Sequence, residues 1–184
     1  MTHLKIFDAD DERTALADTR DTQEIADALG EIGVRYEHWG SRGLPQDTSS
    51  DAILAAYAPE IERLTREGGY TTVDTLTVLP TAEGLEAMRT KFLSEHRHTE
   101  DEVRFMVEGD GLFTLRSDDD RVYMVEIGKG DLISVPAGMR HWFDMGPSPR
   151  ITVIRMFIDP AGWVAHYTGD AIADRFPRHE PVAA

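Results

Sequence analysis

Two stretches of the chain carry side chains that could bind one metal ion together. His96 and His98 lie two residues apart, which on a β-strand places both imidazoles on one face, and Glu102 follows at the same parity. His141 comes later, at the start of another predicted strand that follows Pro136. Three imidazoles and one carboxylate suit a borderline first-row cation such as iron(II), nickel or manganese. Four protein ligands in an octahedron leave two adjacent positions, where a substrate could bind.

Each histidine taken alone is more typical of a surface or structural residue than of a metal ligand. The chain has seven histidines, and three of them combine with one glutamate at strand spacing among glycine and proline turns. This combination favours a metal site over a chance grouping.

The elements that must position these side chains are predicted to be short β-strands. After residue 95, apolar runs recur at close intervals and are separated by glycine, aspartate and proline turns. Such spacing is typical of a small β-sandwich or barrel. The predicted strands are residues 102–107, 112–115, 122–127, 132–135, 141–145 and 151–158.

The first 95 residues mix helix and strand patterns. Asp21, with Glu24 three residues later, predicts a helix N-terminus, and Pro59 predicts the first turn of another helix that ends at Gly68 and Gly69. We therefore predict one domain over residues 1–184 with these boundaries: additions at about 1–95, a β core at about 96–158, and a polar tail at 165–184 that lies on the surface or frays. The other predicted elements are strands at 4–7 and 71–79 and helices starting at Ser50 and at about residue 82.

Composition excludes several classes of function. The 184 residues carry 34 acidic and 19 basic side chains, a formal charge of −15, which argues against nucleic acid as a partner. There is no apolar run of about 20 residues to span a membrane, and no secretory leader is visible. With no cysteine, the chain has no disulfide or thiolate metal site, so we expect a cytoplasmic protein. No apolar interface stripe stands out, so we expect a monomer.

The metal-binding stretches resemble the two cupin motifs. His96-x-His98-x3-Glu102-x6-Gly109 resembles the first motif, and Gly130-x5-Pro136-x-Gly138-x2-His141 resembles the second. Two positions depart from the pattern, Thr90 where the first motif has glycine and Met145 where the second has asparagine, but neither change removes a ligand. The resemblance implies a mainly β fold, a cupin (jelly-roll) barrel or sandwich with several N-terminal helices packed outside.

Longer blocks are similar to the acireductone dioxygenase family. They span residues 53–74, 95–111, 135–146 and 154–169, and so cover nearly the whole chain. The resemblance implies a methionine-salvage enzyme that uses O2 to cleave 1,2-dihydroxy-3-keto-5-methylthiopentene, with one iron(II) or nickel(II) per monomer. In that family the iron form yields 2-keto-4-methylthiobutyrate and formate. The nickel form yields 3-methylthiopropionate, formate and carbon monoxide.

The resemblance also implies residue roles. His96, His98, Glu102 and His141 become the metal ligands. Arg104 has the parity of Glu102, so it should point into the barrel. It then pairs either with the substrate dianion, which we favour, or with a structural carboxylate. Glu95 and Asp101 match positions linked to metal incorporation and to the transmission of conformational change, although each could equally be a hydrogen-bond acceptor for a ligand imidazole or a surface acid.

The predicted substrate contacts are Phe92, Phe105, Phe143, Arg155 and Trp163. Aromatic residues in a barrel usually form core, but a pocket for an apolar thioether tail gives an aromatic lining a chemical purpose. For Arg155, a role in the site and a role in the scaffold both remain open. Two other functions also remain open: another cupin dioxygenase that cleaves diketones or enediols, and a non-catalytic cupin that binds metal.

Overall fold

The computed structural model describes residues 2–45, 47–159 and 164–180. Two sheets face each other, and every described strand pair is antiparallel. In order of pairing, the first sheet contains β12 (His166–Tyr167), β5 (His96–Arg97), β10 (Arg140–Asp144), β7 (Asp110–Arg116), β8 (Arg121–Gly128), β1 (His3–Asp8) and β2 (Asp11–Thr19). The second sheet contains β3 (Arg35–His38), β9 (Asp131–Val135), β6 (Glu102–Glu108), β11 (Ile151–Phe157) and β4 (Thr72–Val78). This arrangement confirms the predicted mainly β fold.

Alternation along the strands separates two faces of the second sheet. In β6, Glu102, Arg104 and Met106 face the space between the sheets, whereas Val103 and Phe105 face outward. The outward side chains are buried under α2 (Ser50–Ala56) and α3 (Ala58–Gly68), which contribute Ile53, Tyr57 and Leu64 to the same apolar cluster. The helices therefore pack outside the barrel, as predicted.

Helix ends follow the predicted capping chemistry. Helix α1 (Thr22–Glu31) begins after Asp21, whose carboxylate accepts hydrogen bonds from the backbone N–H groups of Gln23 and Glu24 at 2.9 and 3.0 Å. Helix α3 has Pro59 in its first turn and ends at Gly69, whose φ of 70° suits glycine. Helix α4 (Leu85–Leu93) begins three residues later than predicted.

Among the described residues, no helix is both long enough and apolar enough to cross a membrane.

The described part of the C-terminal segment is mostly exposed, in keeping with the predicted surface position, but a few apolar side chains anchor it to the domain. Three of its side chains are buried, namely Ile172, Ala173 and Phe176. They pack on the outer face of the first sheet, in one apolar cluster with Phe7 of β1 and Trp142 of β10. The Phe7 and Phe176 rings meet edge-on with centroids 5.9 Å apart. Although the segment is mostly polar, these apolar side chains hold it against the sheet.

A buried ion pair fastens α4 to the barrel. Arg89 donates two hydrogen bonds to Asp144 of β10, Nε to Oδ1 at 2.8 Å and Nη2 to Oδ2 at 3.0 Å. Asp144 also accepts the backbone N–H groups of Gly146 and His179, at 2.8 and 3.0 Å. Burial would raise the pKa of Asp144, but these donors outweigh burial and lower it below its ordinary value. One carboxylate thus joins α4, β10 and the C-terminal segment.

We expect Arg89→Met to lower the free energy of unfolding at pH 7 by about 2 to 3 kcal/mol, because Asp144 loses its charged partner. A group whose pKa is depressed by folding contributes stability that is lost as pH falls. The difference from the wild type should therefore shrink below the ordinary carboxyl pKa of 3.8. Urea denaturation across this pH range measures it. Arg13→Met, at a side chain that is 89% exposed, is the matched control and should change little.

Candidate metal centre

The structure brings the four predicted ligands into one buried cluster. His96 lies in β5 and pairs directly with His141 of the neighbouring β10, while Glu102 begins β6 in the opposite sheet. One ligand atom from each of His96, His98, Glu102 and His141 lies within 4.8 Å of the others, and all four residues are buried. The site therefore spans the gap between the two sheets.

Backbone carbonyls fix the orientation of all three imidazoles. The Nδ1 atoms of His96, His98 and His141 lie 2.7, 3.3 and 2.9 Å from the carbonyl oxygens of Ser94, Val164 and Met139, respectively. A carbonyl oxygen only accepts, so each Nδ1 carries a proton, and Nε2 is the ring nitrogen left available to a metal. Burial, together with His141, lowers the pKa of His96 to about 4, so this ring is neutral near pH 7.

Glu102 uses its two oxygens for different partners. Oε2 lies 2.8 Å from Nε2 of His141 and 3.2 Å from Nε2 of His98, whereas Oε1 forms an ion pair with Nη2 of Arg104 at 2.9 Å. Burial would raise the pKa of Glu102, but Arg104 and the imidazoles outweigh it and hold the pKa well below its usual range. The carboxylate is therefore ionised.

This donor set fits a divalent cation. Three imidazole nitrogens and an anionic oxygen converge at close range, and a cation that displaces the protons shared between them can take all four as ligands. Neutral imidazoles and an ionised carboxylate are the forms that metal binding requires. The residues thus form a site that fits a divalent metal ion.

An amphipathic cavity of about 260 Å³ adjoins the ligand cluster, with His96, His98 and Glu102 in its lining. The register of the strands explains why one part of the cavity is polar and another is apolar. Arg155 of β11 lies beside Asp74 of β4 and Arg104 of β6, in one row across the sheet. Two residues along each strand, the next row that faces the cavity consists of apolar side chains. The lining residues are Leu76, Val78, Phe92, His96, His98, Glu102, Arg104, Met106, Phe113, Phe143, Met145, Ile151, Val153 and Arg155.

The two arginines in this cavity are held by carboxylates. Arg104 pairs with Glu102, and Arg155 donates Nε and Nη2 to the two oxygens of Asp74 at 2.7 and 2.5 Å. Arg104 was predicted to pair either with the substrate dianion or with a carboxylate of the protein. The structure contains an ion pair with a carboxylate, that of Glu102, which is itself a predicted metal ligand. Both guanidinium groups also border the cavity.

Three of the five predicted substrate-contact residues lie at the cavity, namely Phe92, Phe143 and Arg155. The prediction for Phe105 is corrected: it lies on the outer face of β6, where it stacks on Trp39 with ring centroids 4.6 Å apart. Its odd parity relative to Glu102 and Arg104 is the physical reason. Trp163 lies outside the described residues.

Glu95 and Asp101 fasten the loops that carry the ligands. Glu95, only 1% exposed, accepts from Thr168 Oγ1 at 2.5 Å and faces Arg116 Nη1 at 3.4 Å. Asp101 accepts from the backbone N–H of Ala137 at 3.0 Å, in the turn before His141. Asp101 thereby connects the two metal-binding stretches.

Several cavity residues were missed at the sequence level. They are apolar side chains on the inward faces of the strands. Parity relative to Glu102 and His141 would have found Met106 and Met145, and parity relative to Arg155 would have found Ile151 and Val153. They are Leu76, Val78, Met106, Phe113, Met145, Ile151 and Val153, together with Asp74 as the partner of Arg155.

Two antiparallel sheets enclosing a cluster of three histidines and one glutamate define a metal-binding protein of the cupin class. The model of the ARD/ARD' family matches residues 5–165. The chain belongs to this family, that of the acireductone dioxygenases, which are metal-dependent enzymes.

Known proteins of this family match over nearly the full chain. The acireductone dioxygenase of Hahella chejuensis is 49% identical over 182 residues, covering 99% of this chain and 98% of that protein. The one from Parvibaculum lavamentivorans is 51% identical over 181 residues, covering 98% of each. A solved structure, acireductone dioxygenase from Bacillus anthracis with cadmium ion in the active centre, has a TM-score of 0.79 at 30% identity. It covers 91% of this chain and 98% of that one.

We expect His98→Ala to give folded protein with little bound metal, because it removes one of four convergent donors. Elemental analysis after loading with iron(II) or nickel(II) measures this. His166→Ala, at an exposed residue of β12, is the control and should bind metal normally. Normal metal content in the His98 variant would contradict the assignment.

Proposed function

We propose that this enzyme cleaves 1,2-dihydroxy-3-keto-5-methylthiopentene with O2, as a step of methionine salvage. The amphipathic cavity carries the proposal, since three of the four ligands and two guanidinium groups lie at one end and apolar side chains at the other. A substrate with an anionic enediol head and a thioether tail matches this polarity.

His96, His98, Glu102 and His141 would hold one iron(II) or nickel(II) per chain. The cadmium ion in the active centre of the Bacillus anthracis enzyme supports a divalent cation at this position. The bound metal supplies Lewis-acid polarisation and a template for two neighbouring oxygens of the substrate. By family resemblance, the iron form gives 2-keto-4-methylthiobutyrate and formate, and the nickel form gives 3-methylthiopropionate, formate and carbon monoxide.

The protein's own residues bind and orient the substrate. Arg104 and Arg155 border the cavity and carry positive charge toward it, which favours the doubly deprotonated enediol over its protonated forms. Glu102 is held by Arg104, so its other oxygen stays aimed at the imidazoles. Phe92 and Phe143 shield the tail from water. Glu95 and Asp101 keep the ligand loops in place through Thr168 and Ala137, which supports their predicted roles in metal incorporation and conformational transmission.

We further propose a cytoplasmic monomer with a single domain over residues 1–184 and without nucleic-acid or membrane partners. The charge of −15 and the lack of cysteine support this proposal. Strands β1 to β4 from the first 95 residues pair in the same two sheets as the later strands, which supports one domain.

Metal replacement tests the proposed reaction. Apo-protein loaded with iron(II) should consume O2 with acireductone and give the keto acid and formate, and nickel(II)-loaded protein should give 3-methylthiopropionate, formate and carbon monoxide. Mass spectrometry of the products and a carbon monoxide assay measure this. Oxygen uptake with β-diketone or catechol substrates but not with acireductone would point to another cupin dioxygenase. No uptake with any enediol would indicate a non-catalytic cupin.

We expect Arg104→Gln to lower kcat by about 10²-fold or more, because the variant loses positive charge where the dianion binds. Steady-state oxygen consumption measures kcat, and elemental analysis confirms that metal is still bound. Arg63→Gln makes the same chemical change at an ion pair with Glu37, away from the cavity lining, and should leave kcat unchanged. Unaltered turnover in metal-loaded Arg104→Gln would contradict the assigned role.

A further inference from the structure

The apolar end of the cavity is built from successive inward residues of the strands that carry the polar end. In β10, His141 is followed on the inward side by Phe143, and in β6 Arg104 is followed by Met106. In β7, Leu115 lies opposite His141 and Phe113 lies opposite Phe143. A tail that extends from the metal therefore meets the Phe143 ring.

The position of the Phe143 ring depends on a glycine in the neighbouring strand. A Cβ atom added to Gly111 of β7 would lie 2.5 Å from both Cε2 and Cζ of Phe143, a separation that real Cβ atoms essentially never show. It would also lie 3.4 Å from the carbonyl oxygen of Asp144. The ring thus occupies the space that any side chain at residue 111 would fill.

Packing limits where the ring can go if that space is filled. Phe113 lies against Phe143 with ring centroids 4.6 Å apart and is itself only 1% exposed. Phe143 and Phe113 both line the cavity. The cavity is the open space beside these rings, so a displaced Phe143 ring moves into it.

We propose that Gly111 is a positioning residue that sets how long a tail the cavity accepts, by letting the Phe143 ring lie over its Cα atom. This inference rests on the proposed function, because it concerns the apolar tail of that substrate. Gly111 lies within a strand and is not among the glycines with positive φ, so alanine there introduces a side chain without backbone strain.

The test compares two acireductones, one with the methylthioethyl tail and one in which a methyl group replaces that tail. Gly111→Ala should lower kcat/KM for the tailed substrate by about tenfold or more and change the short one by less than about twofold, as for one extra methylene in an apolar pocket. Gly30→Ala is the matched control. Gly30 lies in α1, a Cβ there meets nothing within 4 Å, and both substrates should react as in the wild type.

A second variant separates tail selection from a general packing defect. In Gly111→Ala with Phe143→Leu, the smaller side chain leaves room for the new methyl group, so the preference for the tailed substrate should return. A crystal structure of Gly111→Ala should show the Phe143 ring displaced into the cavity, a readout independent of turnover.

The outcomes distinguish this inference from the proposed function. If the wild type turns over neither acireductone, the proposed function fails. If the wild type is active and Gly111→Ala keeps the same ratio of kcat/KM for the two substrates, the inference alone is overturned. A ring displaced away from the cavity, or a double variant that fails to recover the preference, would overturn it as well.

Discussion

The site depends on one negative charge held inside a protein barrel. Burial would favour the neutral form of Glu102, and Arg104 together with the surrounding imidazoles keeps the carboxylate ionised. Because Arg104 takes one oxygen, the other stays free to face the ring nitrogens. The arrangement of charges in the cavity therefore depends on the ion pair between Glu102 and Arg104.

Strand register extends this order into the rest of the cavity. The row Asp74, Arg155 and Arg104 crosses three strands at one level, and the row Leu76, Val153 and Met106 crosses them at the next. The polar row and the apolar row lie two residues apart on each strand, and they give the cavity one polar end and one apolar end. A register slip of one residue in any of the three strands would turn its contribution away from the cavity.

The ligands could be predicted from the sequence because three histidines and one glutamate seldom share this spacing by chance, and parity correctly placed Arg104 inside. Parity also excludes Phe105, and the resemblance-based assignment overlooked this. Strand β2 was missed because the run Asp11–Thr19 is mostly exposed and does not alternate. The two-residue strands β5 and β12 are too short for a periodic pattern. The ion pairs between Arg89 and Asp144 and between Arg155 and Asp74 join residues distant in sequence, which local patterns cannot reveal.

The carbonyl of Val164 that orients His98 lies 66 residues further along the chain, and Glu102 and His141 are separated by 39. Closing such loops costs conformational entropy, and the paired strands of the folded protein bring the ligand atoms together. A cation that binds the folded protein therefore meets four donors at set positions instead of a loose His-x-His segment. The folded protein therefore selects among cations by the shape of the site. An unfolded chain would bind them in the order of their intrinsic affinity for imidazole.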